Sequence, residues 1–235
     1  MPLKIHNVEQ GTPEWHEARR GVITASRIGT LLTDTGKTAK NEKTRRYVLD
    51  LLSERISGFV EEIPMTYSMK RGHDDEEIAR DLYSEKYEPV EKSGFVTNDK
   101  WGFTLGYSPD GLVGERGLIE CKSMLHALHT EAIISRKVPV KFLAQIQCGL
   151  AVFDGGRDWV DYIGPPARGG GKIMVKRVWP DDVLQARLIE VAAEAEAEIT
   201  RQYIAYGNAL TDPDMRFIDM PRYEPENEQE IVIDG

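Results

Sequence analysis

Apolar residues recur every three to four positions in several separate stretches of the chain. Val48, Leu51 and Leu52, for example, share one side of a helix, which is the pattern of a helix that buries one face. Helical spacing and capping residues together predict six helices, over 24–32, 44–56, 70–87, 126–135, 138–153 and 181–206. Thr24 or Ser26 is the expected cap of the first helix.

Strands are predicted between these helices. The segments 95–112 and 118–122 would form a hairpin or meander, and 158–163 and 172–178 would be two further strands joined by a glycine-rich loop. Helices that flank a central mixed sheet make the expected fold class α/β, or α+β.

The composition is that of a soluble globular protein, with 40% hydrophobic and 29% charged residues. No stretch approaches the ~20 apolar residues of a membrane-spanning helix, and the N-terminus lacks the apolar core and cleavage site of a signal peptide. The two cysteines, Cys121 and Cys148, fit a reducing compartment. These observations predict a cytoplasmic protein.

Charge is unevenly distributed. The net charge of −9 argues against a protein that simply coats DNA, yet 36–46 contains five basic residues and one acid. Arg136, Lys137 and Lys141 form a second basic cluster. These clusters are either a basic track on an otherwise acidic surface or solvated side chains without a further role.

The C-terminal end is strongly acidic, with eight acids and two arginines between 207 and 235. A length of 235 residues suits a single domain of generous size. We therefore predict one domain over 1–212, followed by an acidic and partly disordered tail over 213–235.

The segment SPDGLVGERGLIECK contains the strongest candidate chemistry. It places Asp110, Glu120 and Lys122 in a D-x9-E-x-K arrangement. SPDG predicts a turn and GLIECK a strand, on which Glu120 and Lys122 share one face and Cys121 points to the other. If the turn returns Asp110 beside them, the two carboxylates would suit Mg²⁺ and the lysine would orient or help deprotonate a water. The alternative is a solvated hairpin with an ordinary surface ion pair.

A third carboxylate is available on the helix predicted over 70–87. The apolar face of this helix is formed by Ile78, Ala79, Leu82 and Tyr83. Glu76 lies at the edge of this face and Asp75 falls on it, so periodicity does not rank the two. An acid beside buried surface needs a partner, which a metal ion would be. The alternative is an acid favoured by the dipole at the helix start.

Two further segments contain polar candidates. Gln145 and Gln147 flank the apolar stripe of the helix predicted over 138–153 on opposite sides, so one site is not expected to use both. Near the N-terminus, Arg19 precedes a glycine turn and a helix start with Thr24 and Ser26. An arginine, hydroxyls and free helix N–H groups suit a phosphate, although ordinary capping explains the same residues.

Other metal and nucleotide chemistry has weak support. His126 and His129 lack further cysteines or histidines at zinc-ligand spacing. Two cysteines cannot hold a four-cysteine iron–sulfur cluster within one chain. The Walker sequence GxxxxGK[ST] is absent, so an ATP-driven motor is not indicated.

Four segments occur in a specific order: WHEARRGVITASRIG, RGHDDEEIARDLY, SPDGL with GLIECK, and FLAQIQ. This order resembles the bacteriophage lambda exonuclease family, also described as YqaJ-like viral recombinases, within the restriction-endonuclease-like nucleases. The resemblance covers about 10–153 of the sequence. It implies a restriction-endonuclease-like core, in which helices flank a central mixed sheet.

The resemblance also implies a set of metal ligands. Asp110 and Glu120 correspond to the metal-binding carboxylates of the family, and Glu76, rather than Asp75, corresponds to its helix carboxylate. The backbone carbonyl of Cys121 would complete the coordination. The implied cofactor is Mg²⁺, with two ions, for which Mn²⁺ would substitute.

Roles for five further residues follow from the same resemblance. Lys122 corresponds to the catalytic lysine and Gln145 to a helix glutamine near the active site. Arg19, Thr24 and Ser26 correspond to the pocket that grips the 5′-phosphate of a DNA end.

The activity implied by the resemblance is a 5′→3′ exonuclease on double-stranded DNA ends, which releases mononucleotides and leaves a 3′ single strand for an annealing protein. The resemblance further implies a ring-shaped homotrimer around DNA, with basic residues in its channel, and a phage or prophage protein in a bacterial host. A structure- or site-specific endonuclease on the same scaffold is one alternative. A non-enzymatic interaction protein is the other.

Overall fold

The computed structural model describes residues 3–33, 35–61 and 65–222. Its helices are α1 (Pro13–Arg19), α2 (Ala25–Ile28), α3 (Glu42–Ser57), α4 (Tyr67–Lys86), α5 (His126–Ser135), α6 (Val140–Phe153) and α7 (Asp182–Ala209). Its strands are β1 (Leu3–His6), β2 (Ile23–Thr24), β3 (Val90–Glu91), β4 (Phe95–Asn98), β5 (Leu105–Tyr107), β6 (Gly111–Val113), β7 (Gly117–Cys121), β8 (Trp159–Gly164) and β9 (Met174–Val178).

The strands form two mixed sheets rather than the single central sheet that we predicted. One sheet has four strands in the order β1-β4-β5-β2, and the other has five in the order β3-β6-β7-β8-β9. The turn 108–110 separates β5 from β6 and carries the chain from one sheet to the other. The predicted α/β class is confirmed, with parallel pairing in β2–β5 and β7–β8 and antiparallel pairing elsewhere.

Helix α6 lies at the centre of the main core. Every residue from Ile146 to Phe153 is buried, and the helix packs against strands of both sheets as well as against α2 and α7. Such a completely buried half-helix matches its apolar sequence. Residues on or beside α6 are therefore held between the two sheets.

Several predicted helices are confirmed by the structure. Asn41 caps α3 through a side-chain bond from Thr44 N, and Asp181 caps α7 in the same way. Helix α5 has the bounds predicted for it, whereas α6 begins at Val140 rather than at 138, with Pro139 at its N-cap position.

The prediction for 24–32 was wrong in detail. Helix α2 is short and continues as a 3₁₀ turn over Gly29–Leu31. Thr24 occupies the N-cap position without a side-chain cap, because its hydroxyl instead lies 3.2 Å from that of Ser26. The hydroxyls of Thr24 and Ser26 thus bond to each other instead of closing the helix start.

The predicted apolar face of α4 was also wrong in part. Ala79 and Tyr83 are buried, whereas Ile78 and Leu82 are 59% and 47% exposed. Asp75 completes the buried face, and the helix packs against β3, β7 and β8.

The C-terminal boundary predicted at 212 stays a prediction. Helix α7 ends at Ala209, and Arg222 donates to the carbonyl of Ser57 (3.0 Å). The rest of the predicted acidic tail, 223–235, lies outside the described residues. None of the helices in the described ranges has the length and apolar content needed to cross a membrane.

Candidate active site

The hairpin of β6 and β7 explains the D-x9-E spacing. Gly111 pairs with Ile119 across the two antiparallel strands, and one further step of this register sets Asp110 opposite Glu120. The backbone N–H of Cys121 donates to Asp110 Oδ2 at 2.7 Å. The turn therefore returns the Asp110 carboxylate to the end of β7, as predicted.

Lys122 joins the two carboxylates. Its Nζ lies 2.6 Å from Glu120 Oε1 and 3.7 Å from Asp110 Oδ2, and it donates to the Cys121 carbonyl at 2.9 Å. The Cys121 side chain packs in a separate buried cluster that includes Ala79, so neighbouring residues use opposite faces. An ordinary surface ion pair is excluded, because the Glu120 side chain is 0% exposed.

Glu120 is surrounded by hydrogen-bond donors. Tyr107 donates to Oε2 at 2.7 Å, and the Gln145 amide and the Lys122 ammonium contact Oε1. Burial raises the pKa of Glu120 to about 7; Lys122 opposes this rise and the charge of Asp110 adds to it. A carboxylate that is desolvated in this way favours a cationic partner.

The side chains of Glu76 and Asp75 have different surroundings in the structure. Glu76 lines the cavity described below and has a long contact of 3.4 Å from Ser123 N. Asp75 is buried and accepts from Ser123 Oγ at 2.7 Å and from the Arg168 amide at 3.0 Å. Both carboxylate oxygens of Asp75 thus accept bonds that fasten α4 to the segments after β7 and β8, whereas Glu76 is available to a ligand.

Burial also affects the ionisation of Glu76. Loss of solvent raises the pKa of this carboxyl to about 7; Lys122 opposes the rise and Asp110 contributes to it. Three carboxylates, those of Glu76, Asp110 and Glu120, therefore face the single ammonium of Lys122.

A cavity of about 240 Å³ brings most of the predicted residues together. It is lined by Gln10, Trp15, Arg19, Ala25, Ser26, His73, Glu76, Gly106, Tyr107, Ser108, Asp110, Lys122 and Gln145. The carboxylate–lysine cluster and the N-terminal arginine thus open into one space. Glu120 lies directly beneath it, behind Tyr107, Lys122 and Gln145.

The N-terminal part of this cavity is built around Arg19. Its guanidinium lies 4.0 Å from the centre of the Trp15 ring and donates to Ser26 Oγ (3.3 Å) and Ser108 Oγ (3.4 Å). Burial lowers the pKa of Arg19 to about 10, so the side chain remains a cation at neutral pH. No carboxylate in the described part of the chain forms an ion pair with Arg19.

Thr24 is placed differently from the expectation. It is buried at 4% exposure, does not line the cavity, and its backbone N–H donates to Tyr47 Oη at 3.2 Å. Its hydroxyl contacts that of Ser26 at 3.2 Å. Thr24 therefore supports Ser26 from behind.

The two glutamines of α6 serve different purposes, as their positions on the helix predicted. Gln145 lines the cavity and donates to Glu120. Gln147 is buried and bonds to the carbonyl of Trp179 (2.8 Å) and the amide of Asp181 (2.9 Å). Gln147 therefore fixes the start of α7.

The donor types suit a divalent cation, since carboxylate and carbonyl oxygens are the ligands that Mg²⁺ prefers. Three buried or half-buried acids opposite one ammonium also leave negative charge to be compensated. As the side chains stand, no three His, Cys, Asp or Glu side chains in the described ranges converge on one point. The Asp110 and Glu120 carboxylates are instead engaged by Cys121 N–H, Lys122 and Gln145.

Sequence reasoning did not identify seven of the residues that line the cavity, namely Gln10, Trp15, Ala25, His73, Gly106, Tyr107 and Ser108. Trp15 and Arg19 are four residues apart on α1, so a predicted helix would have paired them. Ser108 lies two residues before Asp110. The contact of Tyr107 with Glu120 joins two sheets, and no local pattern predicts it.

Comparison with known proteins identifies the chain's relatives. The family described as the YqaJ-like viral recombinase domain matches residues 14–156. Comparison with curated proteins finds no significant match.

Solved structures give further matches. The alkaline exonuclease LHK-Exo from Laribacter hongkongensis is 29% identical over 84% of this chain and 100% of that chain, with a TM-score of 0.69. A structure of LHK-Exo in complex with dAMP matches over the same shares at 30% identity and a TM-score of 0.71. A phage-related exonuclease from Haemophilus somnus is 14% identical over 79% of this chain and 96% of that chain, with a TM-score of 0.54, and shares the fold.

The fold therefore agrees with the family match. The exonuclease structures support a restriction-endonuclease-like fold. The matched region spans more than half of the chain and contains the carboxylates, Lys122 and Gln145. The chain belongs to the family of YqaJ-like viral recombinase domains.

Proposed function

We propose that this protein is an Mg²⁺-dependent exonuclease that degrades double-stranded DNA from 5′ ends, releases mononucleotides and leaves a 3′ single strand. Family membership and 30% identity to an alkaline exonuclease support the coarser activity, a DNA exonuclease. The observation that carries the finer proposal is that the Asp110–Glu120–Lys122 cluster and Arg19 share one cavity.

Glu76, Asp110, Glu120 and the Cys121 carbonyl would hold the metal. Two Mg²⁺ ions, when bound, would supply a nucleophilic water and stabilise the attacking and leaving oxygens of phosphodiester hydrolysis. Mn²⁺, which shares the preference of Mg²⁺ for oxygen ligands, would substitute.

Lys122 would orient the reacting groups. Burial alone would lower the pKa of Lys122, but the charges of Glu120, Asp110 and Glu76 outweigh it and raise this pKa well above its ordinary value. The side chain is therefore an ammonium at neutral pH. We assign it the role of a donor that positions a water or a phosphate oxygen.

Arg19 and Ser26 would recognise the DNA end, and Ser108 would join them. A terminal 5′-phosphate carries more negative charge than an internal phosphodiester, so two hydroxyls and an arginine that forms no ion pair within the described residues favour it. Thr24 would act indirectly, through its contact with Ser26. The related enzyme captured with dAMP bound a mononucleotide, which fits the proposed product.

The assembly and its partners are proposed on the family resemblance. We propose a homotrimeric ring around duplex DNA and transfer of the 3′ strand to a single-strand annealing protein, in a phage or prophage context. A basic surface supports contact with the phosphate backbone. Within the described residues, Arg136, Lys137 and Lys141 form no ion pair, and local positive charge attracts DNA even when the net charge is −9.

The test uses linear duplexes labelled at one end. Digestion is expected with Mg²⁺ from a 5′-phosphorylated end, with none in EDTA and none of covalently closed circles. Cutting of closed circles would favour the endonuclease alternative. Asp110→Asn should reduce digestion at least about 100-fold, whereas Asp99→Asn, a matched change in an exposed turn, should leave it unaltered. Near-normal activity of Asp110→Asn would contradict the proposed site.

A further inference from the structure

One hydrogen bond connects the two sheets directly at the candidate site. Tyr107 lies on β5 of the four-stranded sheet, and Glu120 lies on β7 of the five-stranded sheet. The phenol donates to Glu120 Oε2 at 2.7 Å, and the two residues are 1% and 0% exposed. A hydrogen bond buried in this way is stronger than one in water and restricts the carboxylate to which it is made.

The partners of Glu120 are divided between its two oxygens. Oε2 accepts from Tyr107, whereas Oε1 is contacted by Lys122 at 2.6 Å and by the Gln145 amide. Lys122, Gln145 and Tyr107 all line the cavity, and only 1% of Tyr107 is exposed. Tyr107 therefore occupies Oε2 of Glu120, which leaves Oε1 as the oxygen available to a bound cation.

The tyrosine ring is fixed by its packing on α6. A Cβ at Gly149 would lie 2.6 Å from Tyr107 Cε1, within the ring's own space. Phe153, one turn further along the helix, meets the ring edge-on with centroids 6.4 Å apart. Only a glycine at 149 allows the ring to lie this close to the helix, so the phenol has little freedom to turn away from Glu120.

We propose that Tyr107 is a positioning residue that holds Glu120 as a one-oxygen ligand for the divalent cation, and that Gly149 provides the space for it. This inference rests on the proposed metal-dependent function. Hydrogen-bond partners of metal-ligating carboxylates set the orientation of the ligand, and their loss typically weakens metal binding about 10–100-fold. If Tyr107 only filled the core, removal of its hydroxyl would leave cation binding unchanged.

Tyr107→Phe tests the inference, because it removes the hydroxyl and keeps the ring. Tyr83→Phe is the matched control: Tyr83 is 3% exposed, and its hydroxyl donates at 2.7 Å to the carboxylate of Asp161, which is not one of the proposed metal ligands. Calcium or manganese binding is measured by calorimetry without DNA, together with the Mg²⁺ concentration for half-maximal digestion and the melting temperature in EDTA.

We expect Tyr107→Phe to weaken cation binding about tenfold or more and to raise the Mg²⁺ midpoint by a similar factor, with the control within about twofold of wild type. Gly149→Ala should weaken cation binding as well. In the Tyr107→Phe background, Gly149→Ala should lower the melting temperature without weakening cation binding further, because the hydrogen bond to Glu120 is already absent.

Each outcome has a separate meaning. Equal cation affinity of Tyr107→Phe and wild type would overturn this inference and leave the proposed function standing. A wild-type protein that binds no divalent cation would overturn the metal-dependent function itself.

Discussion

The carboxylate of Asp110 accepts the backbone N–H of Cys121 at 2.7 Å. This bond ties the turn before β6 to the last residue of β7, so that the position of Asp110 depends on the register of the hairpin. A slip by one residue would move Glu120 to the opposite face and disperse the cluster. The D-x9-E-x-K spacing is thus a geometric requirement of one hairpin rather than a loose motif.

Glu76→Gln should make the metal-free protein more stable at high pH. Burial raises the pKa of Glu76 from 4.5 to about 7, so between these values the folded state binds a proton that the unfolded state has lost. Wild-type stability in EDTA should therefore fall as pH rises from 4.5 to about 7, by about 1–3 kcal/mol. Glu120, whose pKa is raised to about 7, adds to the same trend.

Urea unfolding in EDTA at pH 5 and pH 8 measures this effect. Glu76→Gln should be more stable than wild type at pH 8 and at least about 100-fold less active with Mg²⁺. Glu77→Gln is the control, because Glu77 is exposed and only approaches Arg80 at 3.7 Å. A Glu76→Gln protein that is destabilised at pH 8 would show that the carboxylate is not strained by burial.

Local sequence patterns predicted the helices and the strand faces, because these are determined by residues that are close together in the sequence. The spacing of apolar residues predicted α3 and α6, the capping residue Asp181 predicted the start of α7, and strand alternation predicted that Glu120 and Lys122 share a face. The division of the strands between two sheets was not predicted, because it depends on how the turn 108–110 directs the chain.

Local sequence patterns also fail to distinguish some single residues of the site. Periodicity left Asp75 and Glu76 equivalent, since both lie near one helix face. The structure distinguishes them through bonds from Ser123 and Arg168, which are 48 and 93 residues away from Asp75. Contacts at such separation are set by packing of the whole domain, which no short window of sequence contains.

Substitutions of the two glutamines of α6 should separate catalysis from stability. Gln145→Ala should lower the rate of DNA digestion about tenfold or more and change the unfolding free energy little, because its amide contacts Glu120 at the cavity. Gln147→Ala should destabilise the fold by about 1–3 kcal/mol, since it leaves the Trp179 carbonyl and the Asp181 amide without their partner. Equal effects of both changes on stability and on rate would contradict this division.

Arg19→Lys should remove the preference for a phosphorylated 5′ end. The substitution keeps the positive charge but loses the planar fork that contacts Ser26 and Ser108, and a lysine binds phosphate only as a point charge. The ratio of kcat/KM for 5′-phosphoryl over 5′-hydroxyl duplex should therefore fall about tenfold, corresponding to about 1.4 kcal/mol.

The adjacent arginine provides the control for this experiment. Arg20 donates to Glu17 (2.9 Å) and to the Gly58 carbonyl (3.0 Å), so Arg20→Lys should alter stability slightly and leave the phosphate preference intact. A ratio that Arg19→Lys leaves unchanged would show that the end is recognised elsewhere. A uniform loss on both substrates would instead place Arg19 in general DNA binding, because a contact to internal phosphates does not distinguish the two ends.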